Sequence, residues 1–360
     1  MKKLILCLTL PLMMSCHKEG CTDPLALNYS EKVKKDNGSC VYDTLQLENR
    51  LSGQITNDMT LTTDKIWVLG GRVTVVNGVT LTIEPGTIIK GEVGVGANAS
   101  ALIIARGAKL MALGTVQNPI VFTTIADEIG VGEFISPNID PTFNGLWGGL
   151  IICGNAPISA DAPTVQIEGI PASDQNGLYG GNDPYDNSGI LRYISIRHGG
   201  ANIGAGNEIN GLTLGGVGNS TIVENIEVVA NQDDGIEFFG GTVNVYNTVV
   251  LNSGDDSYDV DQAWSGVLDN WIEIGGVDHA LELDGPEGVL TGDFSLINGT
   301  FITSDSVNCH FRDGASGYVS YEGTTNIESD LGTNVITEQL TVGANKTIFG
   351  WTLSSQLGKF

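Results

Sequence analysis

Positive charge is what this sequence has least of. Its 17 lysines and arginines face 42 aspartates and glutamates, for a formal net charge of −25. So acidic a chain repels phosphate backbones and anionic lipid surfaces, which argues against nucleic acid as a partner and favours divalent cations. For any one carboxylate, solubility is the plainer explanation. Long apolar runs are missing too: beyond the N-terminus no stretch approaches the ~18 consecutive apolar residues of a membrane-spanning helix. Nor does any segment sustain the 3.6-residue apolar period of an amphipathic helix. Cysteine is sparse, six in 360 residues. Glycine is plentiful, at 49 residues, in a chain that is 41% hydrophobic. That combination suits a large core enclosed by a backbone that turns every few residues.

The N-terminus reads as an export signal. Lys2 and Lys3 precede an apolar stretch, residues 4–14, of signal-peptide length. It ends in Leu12-Met13-Met14-Ser15-Cys16, which resembles a bacterial lipobox. The resemblance implies cleavage before Cys16 and acylation of that cysteine; the alternative is an ordinary leader followed by an unrelated cysteine. Lys18-Glu19 weakly resembles the charged surface-export signal of Bacteroidetes lipoproteins. The expected location is the outer membrane, at the cell surface, held by the lipid. Cleavage would remove Cys7, Lys2 and Lys3 but no acid, leaving 15 basic residues against 42 acids, a balance of −27.

Cys21 and Cys40 bracket a short polar segment that could not hold a core without a staple, and an exported location would let the pair oxidise. The pattern Cys-Thr-Asp-Pro-x-Ala-x-Asn-Tyr ending in Asp-Asn-Gly-Ser-Cys resembles a module common in secreted Bacteroidetes proteins, over residues 20–42. Asp23, Asp36 and Asn37 are calcium candidates there, although Asp-Asn-Gly is also good turn chemistry. Cys153 and Cys309 are expected as buried free thiols. The domain plan is a leader at 1–15, an anchor and disulfide module at 16–45, a linker at 46–59 and a β-rich domain at 60–360.

From about residue 60, short β-branched runs alternate with Gly, Asn and Asp clusters, as in Thr80-Leu81-Thr82-Ile83 and Leu150-Ile151-Ile152. Four of these runs align on an asparagine: Asn225, Asn247, Asn270 and Asn298, at steps of 22, 23 and 28 residues. One coil of a parallel β-helix consumes about that many residues, and its coils stack at roughly 4.8 Å. Asn tolerates the left-handed backbone of a repeated corner, and its amide can bond to the Asn of the next coil. Tyr193 falls in the same column, while Trp271 and Ile272 compete for the inward position of theirs. The fold class is therefore all-β, a right-handed parallel β-helix with a small disulfide-stapled N-terminal segment. Leu81-Thr82-Ile83-Glu84-Pro85-Gly86-Thr87, Asn144-Gly145-Leu146-Trp147-Gly148-Gly149, Ile196-Arg197-His198-Gly199-Gly200 and Asp233-Asp234-Gly235-Ile236-Glu237-Phe238-Phe239-Gly240-Gly241 resemble the β-helical secreted proteins of Bacteroidetes, in the pectin-lyase-like fold group.

The chemistry on offer is a pile of carboxylates. Aligning the coils stacks Asp233, Asp255 and Asp278; Asp234, Asp256 and His279; and Glu237, Asp259 and Glu282, the last row facing outward by strand alternation. Like charges one strand spacing apart are costly unless a cation lies between them or one is protonated. Three readings compete: solvated turn acids, a Ca²⁺ site built from hard oxygen donors, and a sugar-cleaving site. Metal candidates are Asp233, Asp234, Glu237, Asp255, Asp256, Asp259 and Glu282. Weak catalytic candidates are Asp233, Asp234, Asp255, Asp256 and His198, with Arg197 or Arg312 as the base of a lyase. His198 precedes the Asp pairs, whereas the fold group's polygalacturonases have their histidine after them. Insertions at about 124–143 and 159–189 break the coil rhythm, and Tyr179 and Tyr185 of the second are candidates for stacking on sugar rings. The expected function is a surface β-helix lipoprotein that binds extracellular glycan or matrix, with calcium. A polysaccharide lyase or glycoside hydrolase and a non-catalytic adhesin or envelope component are the alternatives.

Overall fold

In the coils the short apolar runs become strands, each lying parallel on its counterpart in the coil before, while Val165–Gln166 and Leu178–Tyr179 of the second insertion pair antiparallel as a hairpin. The computed structural model describes residues 18–21, 28–30, 32–36, 39, 49–203, 208–303 and 305–360. The chain divides into two compact units, residues 1–50 and 51–360. In the first, Glu19–Gly20 pairs in parallel with Lys35–Asp36, and Cys21 is buried. The leader, Cys16, Cys40, Asp23 and Asn37 lie outside the described residues. Strand Arg50–Ile55 falls where the sequence reads as linker.

The second unit is a parallel β-helix with three faces. The second face stacks 72–75, Ala101–Ile104, Leu150–Cys153, Leu212–Gly215, Ile236–Phe239, Tyr258–Asp261, Leu281–Leu283, Val307–Phe311 and Thr325–Ser329. Strand alternation sends two rows inward. Leu102, Leu150, Leu212, Ile236, Tyr258, Leu281 and Cys309 form one continuous core row, and the residues two further on form the next. Each fully buried aliphatic side chain contributes about 1.5–3 kcal/mol, so the coils are held mainly by these rows. Both Cys153 and Cys309 are buried free thiols, as the sequence implies.

The first and third faces share strands that bend at one residue. Tyr193, Asn225, Asn247, Asn270 and Asn298 all have φ between 50° and 63°, and the ladder skips each of them. Only part of the expected amide ladder forms. Asn270 Nδ2 donates to Asn247 Oδ1 at 2.7 Å, whereas Asn298 turns to Asp269 Oδ1 at 2.8 Å. Trp271 takes the inward place and Ile272 the outward one. The indole leaves no room on the next coil: a Cβ at Gly299 would meet Trp271 Cζ2 at 1.9 Å.

Added segments cover the outside. The first insertion lies against the first face, where Arg197 Nη1 donates to Phe134 O at 2.6 Å and Lys90 Nζ to Asp127 O at 2.5 Å. The second packs Ile158, Ile167, Ile170 and Tyr179 on Ile103, Ile151 and Phe239 of the second face. Beyond the coils, the short helix Leu353–Gln356 returns to the first face. There Phe349 and Leu353 join Val229, Val249, Leu251, Ile272 and Ile274 in one apolar cluster.

Candidate functional site

On the second face the outward row changes character along the stack. It reads Ile103, Ile151, Thr213, Glu237, Asp259, Glu282, His310 and Glu328, one above the other. The apolar members lie beneath the second insertion; the acids line an uncovered cleft of about 260 Å³. Ile236 and Phe238 point inward, so Glu237 has to point out, and the same alternation places Asp259 and Glu282.

The turns before these strands add a second tier. Asp234 Oδ1 accepts the Asp256 N–H at 2.9 Å, and Asp256 Oδ1 accepts the His279 N–H at 2.8 Å and lies 3.0 Å from His279 Nδ1. These acids therefore stitch each turn to the next coil while keeping their second oxygens for the cleft. All seven sequence-predicted metal ligands line it, together with Asp261, Asp284, Glu168, Asn210 and Arg312. Ten carboxylates thus face one guanidinium. Arg312 Nη1 bonds Glu282 Oε1 and lies 3.7 Å from Asp284 Oδ2, leaving the Asp234–Glu237–Asp259 end without a cation among the described residues. Asn210, 2% exposed, donates its amide N–H to Glu237 while its Oδ1 meets no partner; Asp259 Oδ1 is likewise buried and unpaired.

Burial, reinforced by neighbouring acids, holds the Asp234, Glu237 and Asp259 carboxyls well above the usual range. It pushes Asp256 up to about 10, and Asp233 and Asp261 each to about 7. Glu282 goes the other way: burial raises it, but hydrogen bonds from Asp256 and Arg312 outweigh that and hold it low. Acids so placed need protons or a metal ion to be stable together. The donor set fits a hard cation. One oxygen each from Asp234, Glu237 and Asp259 lie within 4.8 Å of one another, as do those of Asp233, Asp234 and Asp255. Asp259 Oδ1 of that set is unpaired, and the unpaired Asn210 Oδ1 adds one neutral donor of the kind Ca²⁺ takes.

Four sequence candidates do not belong to this cleft. His198 is buried at a corner of the first face, its Nδ1 donating to Phe143 O at 2.6 Å, because the first insertion packs over it. Arg197 is fully buried there, bonded to Ser195 Oγ at 2.8 Å and Phe134 O, so it cannot serve as a base for a ligand on the second face. Tyr179 is 2% exposed, since the hairpin that carries it turns the ring onto Phe239 and its hydroxyl to Gln262 Oε1 at 2.9 Å. It cannot stack on a sugar at the surface. Tyr185 is 69% exposed but does not line this cleft. Asp261 and Asp284, which were not singled out, follow Asp259 and Glu282 by two residues, so alternation could have found them. Asn210 and Glu168 come from irregular segments and carry no such signal.

The family model described as a pectate-lyase like beta helix domain matches residues 53–307, a span that contains every acid of the cleft. No curated protein and no solved structure matches the chain. With more than two thirds of its 360 residues matched, the chain belongs to the pectate-lyase-like β-helix domain family.

Proposed function

We propose that this is a lipid-anchored surface protein that binds extracellular glycan through a divalent cation, Ca²⁺ by its donor chemistry, held in the acid cleft. The observation that carries this reading is the convergence of Asp234, Glu237 and Asp259, the last with a buried, unpaired Oδ1, in one cleft with the unpaired Asn210 Oδ1. Asp234, Glu237, Asp259 and Asn210 would hold the ion. When bound, it would supply positive charge to a face that otherwise repels acidic sugars and leaves hydroxyls unengaged. The leader and Cys16 support the anchor, and the acidity of the chain supports a cation rather than a nucleic acid.

Arg312 favours a second reading, a polysaccharide lyase, because it lines the same cleft. Its environment works against that role: the hydrogen bond to Glu282 raises the guanidinium's hold on its proton, the reverse of what a base needs.

Thermal melting in EDTA and in millimolar Ca²⁺ tests the cation. One site at a free concentration about a hundredfold above Kd adds roughly 2.7 kcal/mol. Asp234→Asn with Asp259→Asn should abolish most of that response, while Asp293→Asn, on the exposed surface, should keep it. Superimposable curves with and without Ca²⁺ for the unaltered protein would refute the proposal. Release of unsaturated sugar ends from a uronate polymer, lost in Arg312→Ala, would favour the lyase.

A further inference from the structure

Beside the acid cleft, the second insertion leaves a pocket of about 670 Å³ against the second face, within the range of small-molecule sites. Ile167, Ile170, Ile203 and Phe239 give it an apolar lining. Its charged groups are the carboxylates of Asp161, Glu168 and Glu287 and the guanidinium of Arg72. Gln166 Oε1 is buried without a partner, although the same amide donates through Nε2 to Asp174 O at 3.3 Å. Across the pocket, Gln262 accepts the Tyr179 hydroxyl and donates from Nε2 to Glu287 Oε2 at 3.1 Å, which fixes that carboxylate at the rim. Glu168 lines both the pocket and the acid cleft.

The backbone at Gln262 gives an independent observation. Gln262 and Ala263 both hold left-handed φ, 52° and 57°, where the coil before has Gly240 and Gly241. A left-handed non-glycine residue costs roughly 1–2 kcal/mol. The chain carries a glutamine at this corner, and that glutamine's side chain ties Tyr179 and Glu287 to the pocket wall. Strained residues of this kind concentrate at ligand sites.

We infer that the pocket is a saccharide subsite that takes an uncharged sugar unit. The apolar lining suits the hydrophobic face of a pyranose ring; Glu168 and Glu287 accept from its hydroxyls, Arg72 donates to them, and three carboxylates, with Asp161, against one guanidinium turn away anions. The inference rests on the glycan reading but not on the cation, since no residue of the Asp234–Glu237–Asp259 group lines this pocket.

Saturation-transfer NMR with maltose, cellobiose and lactose at millimolar concentration, in EDTA, tests it. At least one disaccharide should bind. Glu287→Ala should weaken binding about tenfold, the worth of one hydrogen bond to a charged group. Ala160→Trp, which fills the pocket from its lining, should abolish it, and Asp293→Asn, on the exposed surface away from both sites, should leave it unchanged. Melting temperatures identify any variant that has failed to fold. No binding of any of the three sugars overturns the inference, as does binding that Ala160→Trp leaves intact. Ca²⁺-dependent retention on a glycan that ignores both pocket variants sinks this subsite alone; no retention on any glycan sinks the wider reading.

Discussion

Glu273 lies on the inward side of its strand, between the outward Ile272 and Ile274, and is 1% exposed. Its Oε1 accepts the Gly276 N–H at 2.8 Å, and its Oε2 meets no donor. Burial pushes this carboxyl up to about 7, against the downward pull of the Gly276 and Gly275 amides. The folded value lies above the unfolded one, so its contribution to stability is complete below the ordinary glutamate range and is lost as pH rises through about 7. Glu273→Gln should therefore melt with the native chain near pH ~5 and above it near pH ~8. An equal difference at both pH values would show that this carboxyl does not titrate between them. Single residues also show what a sequence can reveal. The Asn column was readable because a left-handed corner admits few residue types; which amide bonds to which was not, because Asn298 has Asp269 as a competing partner.

At the scale of the element, the helix Leu353–Gln356 is held by a side chain 126 residues earlier. Glu227 accepts from the Leu353 N–H at 3.0 Å, the Ser354 N–H at 2.8 Å and Ser354 Oγ at 2.7 Å, and also from Ser195 Oγ at 2.7 Å. The carboxylate thus satisfies amides at the helix N-terminus that would otherwise be buried unpaired. Glu227→Ala removes all four bonds and leaves Asp127 as the remaining charge opposing Arg197; each buried donor left unpaired costs about 1–3 kcal/mol. Hydrogen exchange should then accelerate first in residues 346–356; protection unchanged there would mean that the apolar contacts of Phe349 and Leu353 suffice alone. Nothing in the sequence around Glu227 announces this contact. The outward acids were legible because alternation is local, whereas the burial of Tyr179, His198 and Arg197 depends on insertions whose landing place no local pattern encodes.

For the whole molecule, the strands repeat often enough to disclose the β-helix, and the acids repeat with them, so the fold and the core of the cleft were both open to reading. How the covering segments divide the outer faces was not. Among the described residues no helix is long and apolar enough to cross a membrane. Cys16→Ser should release the protein from membrane fractions and remove the lipid mass. An intact mass that shows Cys16 unmodified in the native chain would defeat the anchor.

The return of residues 346–356 to the first face also sets an order in time. Val229, Val249 and Ile272 belong to three successive coils, yet one later segment covers all three. A stack in which each coil touches only its neighbours can consolidate as it is made. A chain folded only as far as residue 340 would have its core rows but an open apolar strip and a Glu227 without its helix. The middle of the β-helix is therefore completed only when its far end folds back over it, and until then that strip is open to any chaperone that binds exposed apolar surface.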